Sequence, residues 1–196
     1  MALAVDPVPR DYRQRKKLWV NSSLWLGINE RPYVPLAVQG LGYAERMLLE
    51  MEERLAEMTA SPGPRNARDR LLSECSSHSV LWVFGLYEVV RVIKDARTHH
   101  FEAMRNLFWQ LEVLRMPLAK HEVKRTDRKE APPVHYPTNS WEPETGRVGW
   151  ISIDPLSHAS RVVTRHEFAD EFLSVTAFEP ASQPPFPIGG QLGLDD

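Results

Sequence analysis

An arginine and a histidine near the end of a predicted helix are the residues whose types and spacing most clearly suggest chemistry. Arg115 and His121 are six positions apart, nearly two helical turns, so they share one face if the helix continues. A histidine can accept the proton of an RNA 2′-hydroxyl near neutral pH. An arginine can bind the phosphate oxygens that gain negative charge in the transition state. The pair therefore predicts phosphodiester cleavage, with Arg115 and His121 as the catalytic residues.

A basic run accompanies this pair and predicts the substrate-binding residues. Its members are Lys120, Lys124, Arg125 and Arg128. Positive charge of this density suits a nucleic-acid backbone. Cations also complement the dipole at a helix C-terminus, so a structural role for Arg115, His121 and the run stays open. Arg161 and His166 repeat a similar spacing, which shows how readily the pattern arises.

The stretch from Leu114 to Glu122, placed after a long predicted helical hairpin, resembles the Arg-x(4–6)-His motif of HEPN domains. The resemblance covers about residues 67–125. HEPN domains are small helical bundles of prokaryotic toxins, defence nucleases and nucleotide-binding proteins. The resemblance implies an RNA-binding protein or a metal-independent endoribonuclease of a toxin–antitoxin or defence system, with no cofactor. It makes Arg115 the phosphate-binding residue and His121 the acid–base residue, and it implies a homodimer, across which such pairs commonly meet.

Two residues depart from that family pattern. Met116 stands directly after the arginine, where the family usually has a polar residue. Pro117 lies inside the motif, and proline in a helix interior kinks or breaks the helix. The geometry of the predicted site therefore depends on whether the helix continues past Pro117.

Histidines elsewhere in the chain support an alternative, a metal- or ligand-binding helical protein. His78 follows Glu74 by four residues and would share its helix face, while His99 and His100 open the next predicted helix. Glutamates and histidines that line a bundle core can hold iron. The paired Glu-x-x-His pattern of di-iron sites is absent from the sequence, as are His-Glu-x-x-His and Cys-x-x-Cys. We therefore predict no metal site and no cofactor.

Three apolar stripes at alternating steps of three and four residues predict the helices that position these groups. The first helix spans about 41–59, the second about 67–94 and the third about 99–116, and the last two form the hairpin. In the first helix the glutamates, Glu45 and Glu52 among them, are expected on the side away from the core. Short connections make neighbouring helices antiparallel, so residues 37–130 are predicted to form a left-handed helical bundle.

The remaining segments are predicted to flank this bundle. Residues 1–36 are an N-terminal arm, irregular and basic over 1–17 and aromatic beyond it. Residues 131–179 contain a proline-rich loop, strands at 148–153 and 160–163, and a short helix that Thr164 and Glu167 open with a capping box. Residues 180–196 are a flexible tail. The fold class is mainly α, with a small C-terminal β-hairpin and a short helix.

Aromatic residues of the hairpin exceed what a single buried stripe would hide. They are Trp82, Phe84, Tyr87, Phe108 and Trp109. Cover must come from residues 18–36, from the C-terminal hairpin or from a second subunit. We therefore predict a homodimer through the helical hairpin.

Composition places the chain among ordinary globular proteins. It has 196 residues and a formal net charge of −2, so no overall positive charge would attract nucleic acid. Its one cysteine, Cys75, cannot form a disulfide within the chain. Its apolar stretches are shorter than the roughly 20 residues that span a bilayer, which excludes a membrane partner and predicts a cytoplasmic protein. The second function hypothesis is a non-catalytic helical protein-interaction module with a protein partner.

Overall fold

The computed structural model describes residues 11–26, 33–61, 64–96, 100–120, 137–153 and 159–176. Along these ranges the chain forms, in order, α1 (Tyr12–Trp25), α2 (Tyr33–Ala60), α3 (Arg65–Asp95), the single turn α4 (His100–Ala103), α5 (Arg105–Lys120), β1 (Thr138–Trp141), β2 (Val148–Ile153), β3 (Ser160–Thr164) and α6 (Arg165–Thr176). The chain is therefore mainly helical, as the sequence predicts.

The long helices α2 and α3 form the centre of the fold. Only residues 61–64 connect them, so they pack antiparallel. The indole Nε1 of Trp82 donates to the Leu41 carbonyl oxygen over 2.9 Å and links the two helices at mid-length. Leu48 and Leu55 of α2 are fully buried, and so is Leu86 of α3. These residues lie on the apolar stripes predicted from the sequence.

Helix α1 packs against α2 where an irregular arm was expected. Asp11 caps its N-terminus by accepting a hydrogen bond from the Arg13 amide at 3.0 Å. Trp19 is 1% exposed and lies over Gly42, where an added Cβ would come 2.7 Å from the indole ring. The interpretation of residues 1–17 as an irregular arm is therefore wrong from Tyr12 onward. The buried side of α1 includes polar residues, which conceal its helical period.

Helix α5 continues through Pro117 and ends at Lys120, so Pro117 does not terminate it. Proline lacks an amide hydrogen, and here the helix accommodates that loss with the ring buried. Phe108 of α5 stacks on Tyr87 of α3 with ring centroids 5.5 Å apart. The predicted hairpin is thus formed by α3 and α5, with α4 as an extra turn at its bend.

The C-terminal part forms an antiparallel sheet of order β1-β2-β3, in which Trp141 pairs with Val148 and Trp150 with Val163. The predicted hairpin is confirmed as β2–β3, and β1 adds a strand inside the expected proline-rich loop. The capping box is also confirmed, because Glu167 Oε1 accepts from the Thr164 amide at 2.9 Å. Helix α6 then places Phe168 and Phe172 in the same core as α1–α3.

Cover for the aromatic residues of the hairpin comes from within the chain. Trp19 of α1 meets Trp82 edge-on at 6.0 Å and stacks on Phe172 of α6 at 5.4 Å. Trp82 is buried as a result, and Tyr87 is buried under Phe108 and Arg115, whereas Phe84 and Trp109 are half-buried. The homodimer through the α3–α5 hairpin stays a prediction. None of the helices in the described ranges has the length and apolar character needed to cross a membrane.

Candidate functional site

Arg115 lies on α5 with its side chain turned toward α3. Its guanidinium carbon is 4.4 Å from the centre of the Tyr87 ring, and Nη2 is 3.6 Å from a carboxylate oxygen of Glu88. The side chain is 21% exposed. A cation over an aromatic face beside a carboxylate is a stable packing arrangement in its own right. Arg115 is therefore already engaged by neighbours within the chain.

The other residues of the predicted nuclease site lie where the structure gives no side-chain position. His121, Lys124, Arg125 and Arg128 are outside the described residues. Lys120 is the last residue of α5, and its side chain is also outside them. The pairing of Arg115 with His121 thus stays a prediction.

The histidines considered for a metal site do not form a described cluster. His78 is exposed on α3. His100 begins α4 without a described side chain, and His99 lies outside the described residues. Within the ranges that the structure describes, no group of three His, Cys, Asp or Glu side chains could hold a metal ion.

A buried ionic network, which the sequence did not predict, joins α1, α2 and α6. Its centre is the carboxylate of Glu45, which has no exposed surface. Arg15 donates to Glu45 from Nη2 at 2.5 Å and from Nε at 3.1 Å, and Trp19 donates from Nε1 at 2.6 Å. Arg15 also donates to Asp170 of α6 at 2.7 Å. Burial lowers the pKa of Arg15, but the hydrogen bonds and charges of Glu45 and Asp170 outweigh it and raise the pKa overall.

The second half of the network surrounds Glu52, one heptad further along α2. Arg165 has no exposed surface and donates to Glu52 from Nη2 at 3.0 Å, while its Nη1 is 3.5 Å from Glu45. The imidazole Nε2 of His166 lies 2.6 Å from Glu52 Oε2. Burial alone would raise the pKa of Glu52, but the hydrogen bond from His166 and the charge of Arg165 hold it below its ordinary value. Glu52 therefore stays ionised in the folded protein.

Catalysis by this network is not supported by its geometry. Cys75 is the nearby nucleophile, and burial, followed by the charge of Glu52, raises its pKa to about 12. A thiol that stays protonated and fully buried is a poor nucleophile at neutral pH. Arg165 lies 5.7 Å from the Trp82 ring, closed off by the core. The network instead fixes α1 and α6 on α2.

A different feature is open to other molecules, an apolar surface centred on the outer side of α2. We call it the α2 face and define it by seven exposed side chains. They are Tyr33, Leu36, Tyr43 and Met47 of α2, Val20 and Leu24 of α1, and Leu81 of α3. Their exposed fractions range from 36% for Val20 to 80% for Tyr33. Among the residues placed by the structure, the other large apolar side chains this exposed are Ile151 and Val162 of the sheet.

A shallow groove of about 300 Å³ runs between α2 and α3 within this face. Small residues line it on both sides, namely Ala37, Gly40, Ala44 and Gly85. Met47 and Leu81 form its walls, and His78 lies at one end. At the α1 side the ammonium of Lys16 is 5.7 Å from the centre of the Tyr43 ring. The groove can therefore accept apolar side chains, and the α2 face is basic at its border with α1.

Comparison of the chain with models of known protein families, with curated proteins and with solved structures found no significant match.

Proposed function

We propose that the chain is a non-catalytic helical protein-interaction module that binds its partner through the α2 face. The observation that carries this proposal is a row of exposed, large apolar side chains along α2, with Val20 of α1 beside Tyr43 and Leu81 of α3 across the groove from Met47. Scattered apolar residues are normal on a protein surface, but a contiguous patch marks an interaction site.

The size of the α2 face supports an interface. A fully exposed large side chain presents on the order of 200 Å², so the seven side chains expose roughly 800 Å² at their exposed fractions. A standard protein interface takes about 800 Å² from each partner. The largest apolar patch of a typical monomer is about 300–600 Å². The α2 face therefore has the extent of a binding surface.

The spacing of its residues indicates the form of the partner. Tyr33, Leu36, Gly40, Tyr43 and Met47 follow one another at steps of three, four, three and four. This is the spacing of a coiled-coil seam, and it is distinct from the core stripe of the same helix. A helix that carries a matching apolar stripe can lie along α2 and fill the groove beside it.

Size-exclusion chromatography of cell extract tests this proposal. The tagged wild-type chain is expected to elute in a complex larger than its own 22.5 kDa. Leu36→Glu combined with Tyr43→Glu places two charges in the face and is expected to shift the chain to its monomer volume. Val162→Glu on the sheet is the matched control and should elute with the wild type. Elution of the wild type at 22.5 kDa in fresh extract would refute the proposal.

A second candidate function is the metal-independent ribonuclease implied by the HEPN resemblance. The observation that favours it is the continuity of α5, which carries Arg115 through Pro117 to Lys120, the residue before His121. The helix is thus continuous through Pro117 up to the residue before His121. Cleavage of total RNA in EDTA tests it with wild type, His121→Ala and the exposed control His78→Ala. Loss of RNA with wild type and control alone supports cleavage, and intact RNA with wild type removes it.

A further inference from the structure

We infer that the partner of the α2 face is a second copy of this chain, packed antiparallel on α2 with the two-fold axis at Gly40. This inference rests on the proposed function and specifies its partner. Three independent features carry it: an otherwise unexplained glycine, the symmetry of residue sizes about that glycine, and the area that two copies would bury.

Among the glycines that the structure describes, Gly40 is the one for which the fold of one chain gives no reason. A Cβ at Gly42 would meet Trp19 at 2.7 Å, and one at Gly85 would meet Leu41 at 3.0 Å. A Cβ at Gly40 would meet nothing within 4 Å. Glycine in mid-helix costs about 0.5–1 kcal/mol relative to alanine. That cost has a purpose if another backbone approaches at Gly40.

Residue sizes on either side of Gly40 are complementary under a two-fold axis. In an antiparallel pair centred there, residue 43 of one copy lies opposite residue 37 of the other, so Tyr43 faces Ala37. By the same symmetry Leu36 faces Ala44, and Tyr33 faces Met47. Large side chains thus lie over small ones in the two pairs nearest the axis. Gly40 of one copy faces Gly40 of the other where the two α2 helices cross. Such a self-complementary patch is what a two-fold dimer requires.

The charged groups of α2 do not oppose this arrangement. Between Tyr33 and Met47, the charged residues of α2 are Glu45, which faces the core, and Arg46, which pairs with Glu50 at 2.7 Å. Neither belongs to the stripe. The charged groups of α2 therefore stay outside the seam, and Lys16 of α1, 5.7 Å from the centre of the Tyr43 ring, lies at the edge of the face.

The buried area meets the requirement of a stable dimer. Roughly 800 Å² from each copy gives about 1,600 Å² in total if the whole face is covered, within the 1,200–2,000 Å² of specific interfaces. The dimer thus uses α2, with flanking contributions from Val20, Leu24 and Leu81, rather than the α3–α5 hairpin predicted from the sequence.

Sedimentation equilibrium of the purified full chain at micromolar concentration gives the first readout. The inference predicts a mass of twice 22.5 kDa for wild type and the single-chain mass for Leu36→Glu. Circular dichroism of the variant should match wild type, because Leu36 is 64% exposed. A single-chain mass for wild type overturns the inference. If the chain is nevertheless in a larger complex in extract, the proposed function stands with a different partner.

Cysteine cross-linking gives the position of the axis. Helix axes about 8–10 Å apart, with Cα atoms on a radius of about 2.3 Å, leave roughly 5 Å between facing Cα atoms, within disulfide range. Gly40→Cys should therefore form a disulfide-linked dimer under mild oxidation. Glu53→Cys, exposed on the same helix, is the matched control and should not. Cys75 is fully buried and does not interfere. Equal cross-linking of both variants, or none with Gly40→Cys, overturns the α2 arrangement.

Discussion

Replacing Glu45 by glutamine tests how strongly the buried ionic network holds the helices together. The substitution keeps the size of the side chain but removes the charge that balances Arg15 and Arg165. Both guanidinium groups are nine-tenths or more buried, so water cannot replace the lost carboxylate. Arg15 keeps Asp170, which is nearly half exposed, and Arg165 keeps Glu52.

The expected loss follows from the cost of removing the carboxylate that two buried guanidinium groups share. Removing one member of a buried ion pair destabilises a protein by about 3–5 kcal/mol. For a chain of 150–250 residues, each kcal/mol lowers the melting temperature by about 2–4 °C, so Glu45→Gln should lower it by roughly 6–20 °C. This is a large share of the total stability of about 5–15 kcal/mol of a typical domain.

Urea denaturation followed by circular dichroism measures this difference. Glu50→Gln is the matched control, because Glu50 lies on the same helix, is 58% exposed and pairs with Arg46 at i,i+4. Exposed pairs of this kind contribute about 0.3–0.5 kcal/mol. Equal effects of the two substitutions would refute the argument that burial gives the Glu45 network its strength.

Four further predictions concern single residues. The folded protein holds the pKa of Glu52 below its ordinary value of 4.5, so the ionised carboxylate stabilises the fold above that pH. The free energy of unfolding should therefore fall as the pH drops below about 4.5. Urea titrations at a series of pH values should show a weaker pH dependence for Glu52→Gln. Gly146→Ala should lower the melting temperature strongly, because φ is +71° and the new Cβ would lie 1.8 Å from the Glu52 carbonyl oxygen. Gly40→Ala, made in the monomeric Leu36→Glu background, should raise the free energy of unfolding by about 0.5–1 kcal/mol. Cys75, with a pKa raised to about 12, should react with a thiol reagent only at the rate of unfolding, and rapid labelling of the native chain would contradict its position in the core.

The central helices could be predicted from the sequence because their core stripes are apolar and regular. Leu41, Leu48 and Leu55 repeat every seven residues, and all three are buried in α2. The strands β2 and β3 and the capping box at Thr164 were predictable for the same reason, since each depends on neighbours along the chain. Local patterns of this kind follow directly from the periodicity of the helix or strand that forms.

The ionic network could not be predicted, because its partners are far apart in sequence. Glu45 and Glu52 were assigned to the exposed side of the helix on their charge alone, and that assignment is wrong. The available signal was their position, one heptad apart in line with Val38 on the buried face. Charged residues are almost never fully buried unless paired, so the assignment needed Arg15 and Arg165, which lie 30 and 113 residues from their glutamates.

The candidate site was missed for a related reason. Each helix was expected to have one apolar stripe, whereas α2 has a second stripe that remains exposed. Tyr33, Leu36 and Tyr43 belong to it, and their spacing is visible in the sequence. Which of the two stripes faces the core depends on how α1 and α3 pack against α2. The spacing of residues within α2 does not specify that tertiary packing.

Carbene footprinting of the chain in cells, compared with dilute purified protein, tests the central claim most directly. Leu36, Tyr43 and Met47 should be labelled strongly in dilute solution and several-fold less in cells, where the α2 face is covered. Val162, 52% exposed on the sheet, should be labelled equally in both samples. Equal labelling of all four residues in cells and in dilute solution would contradict the account.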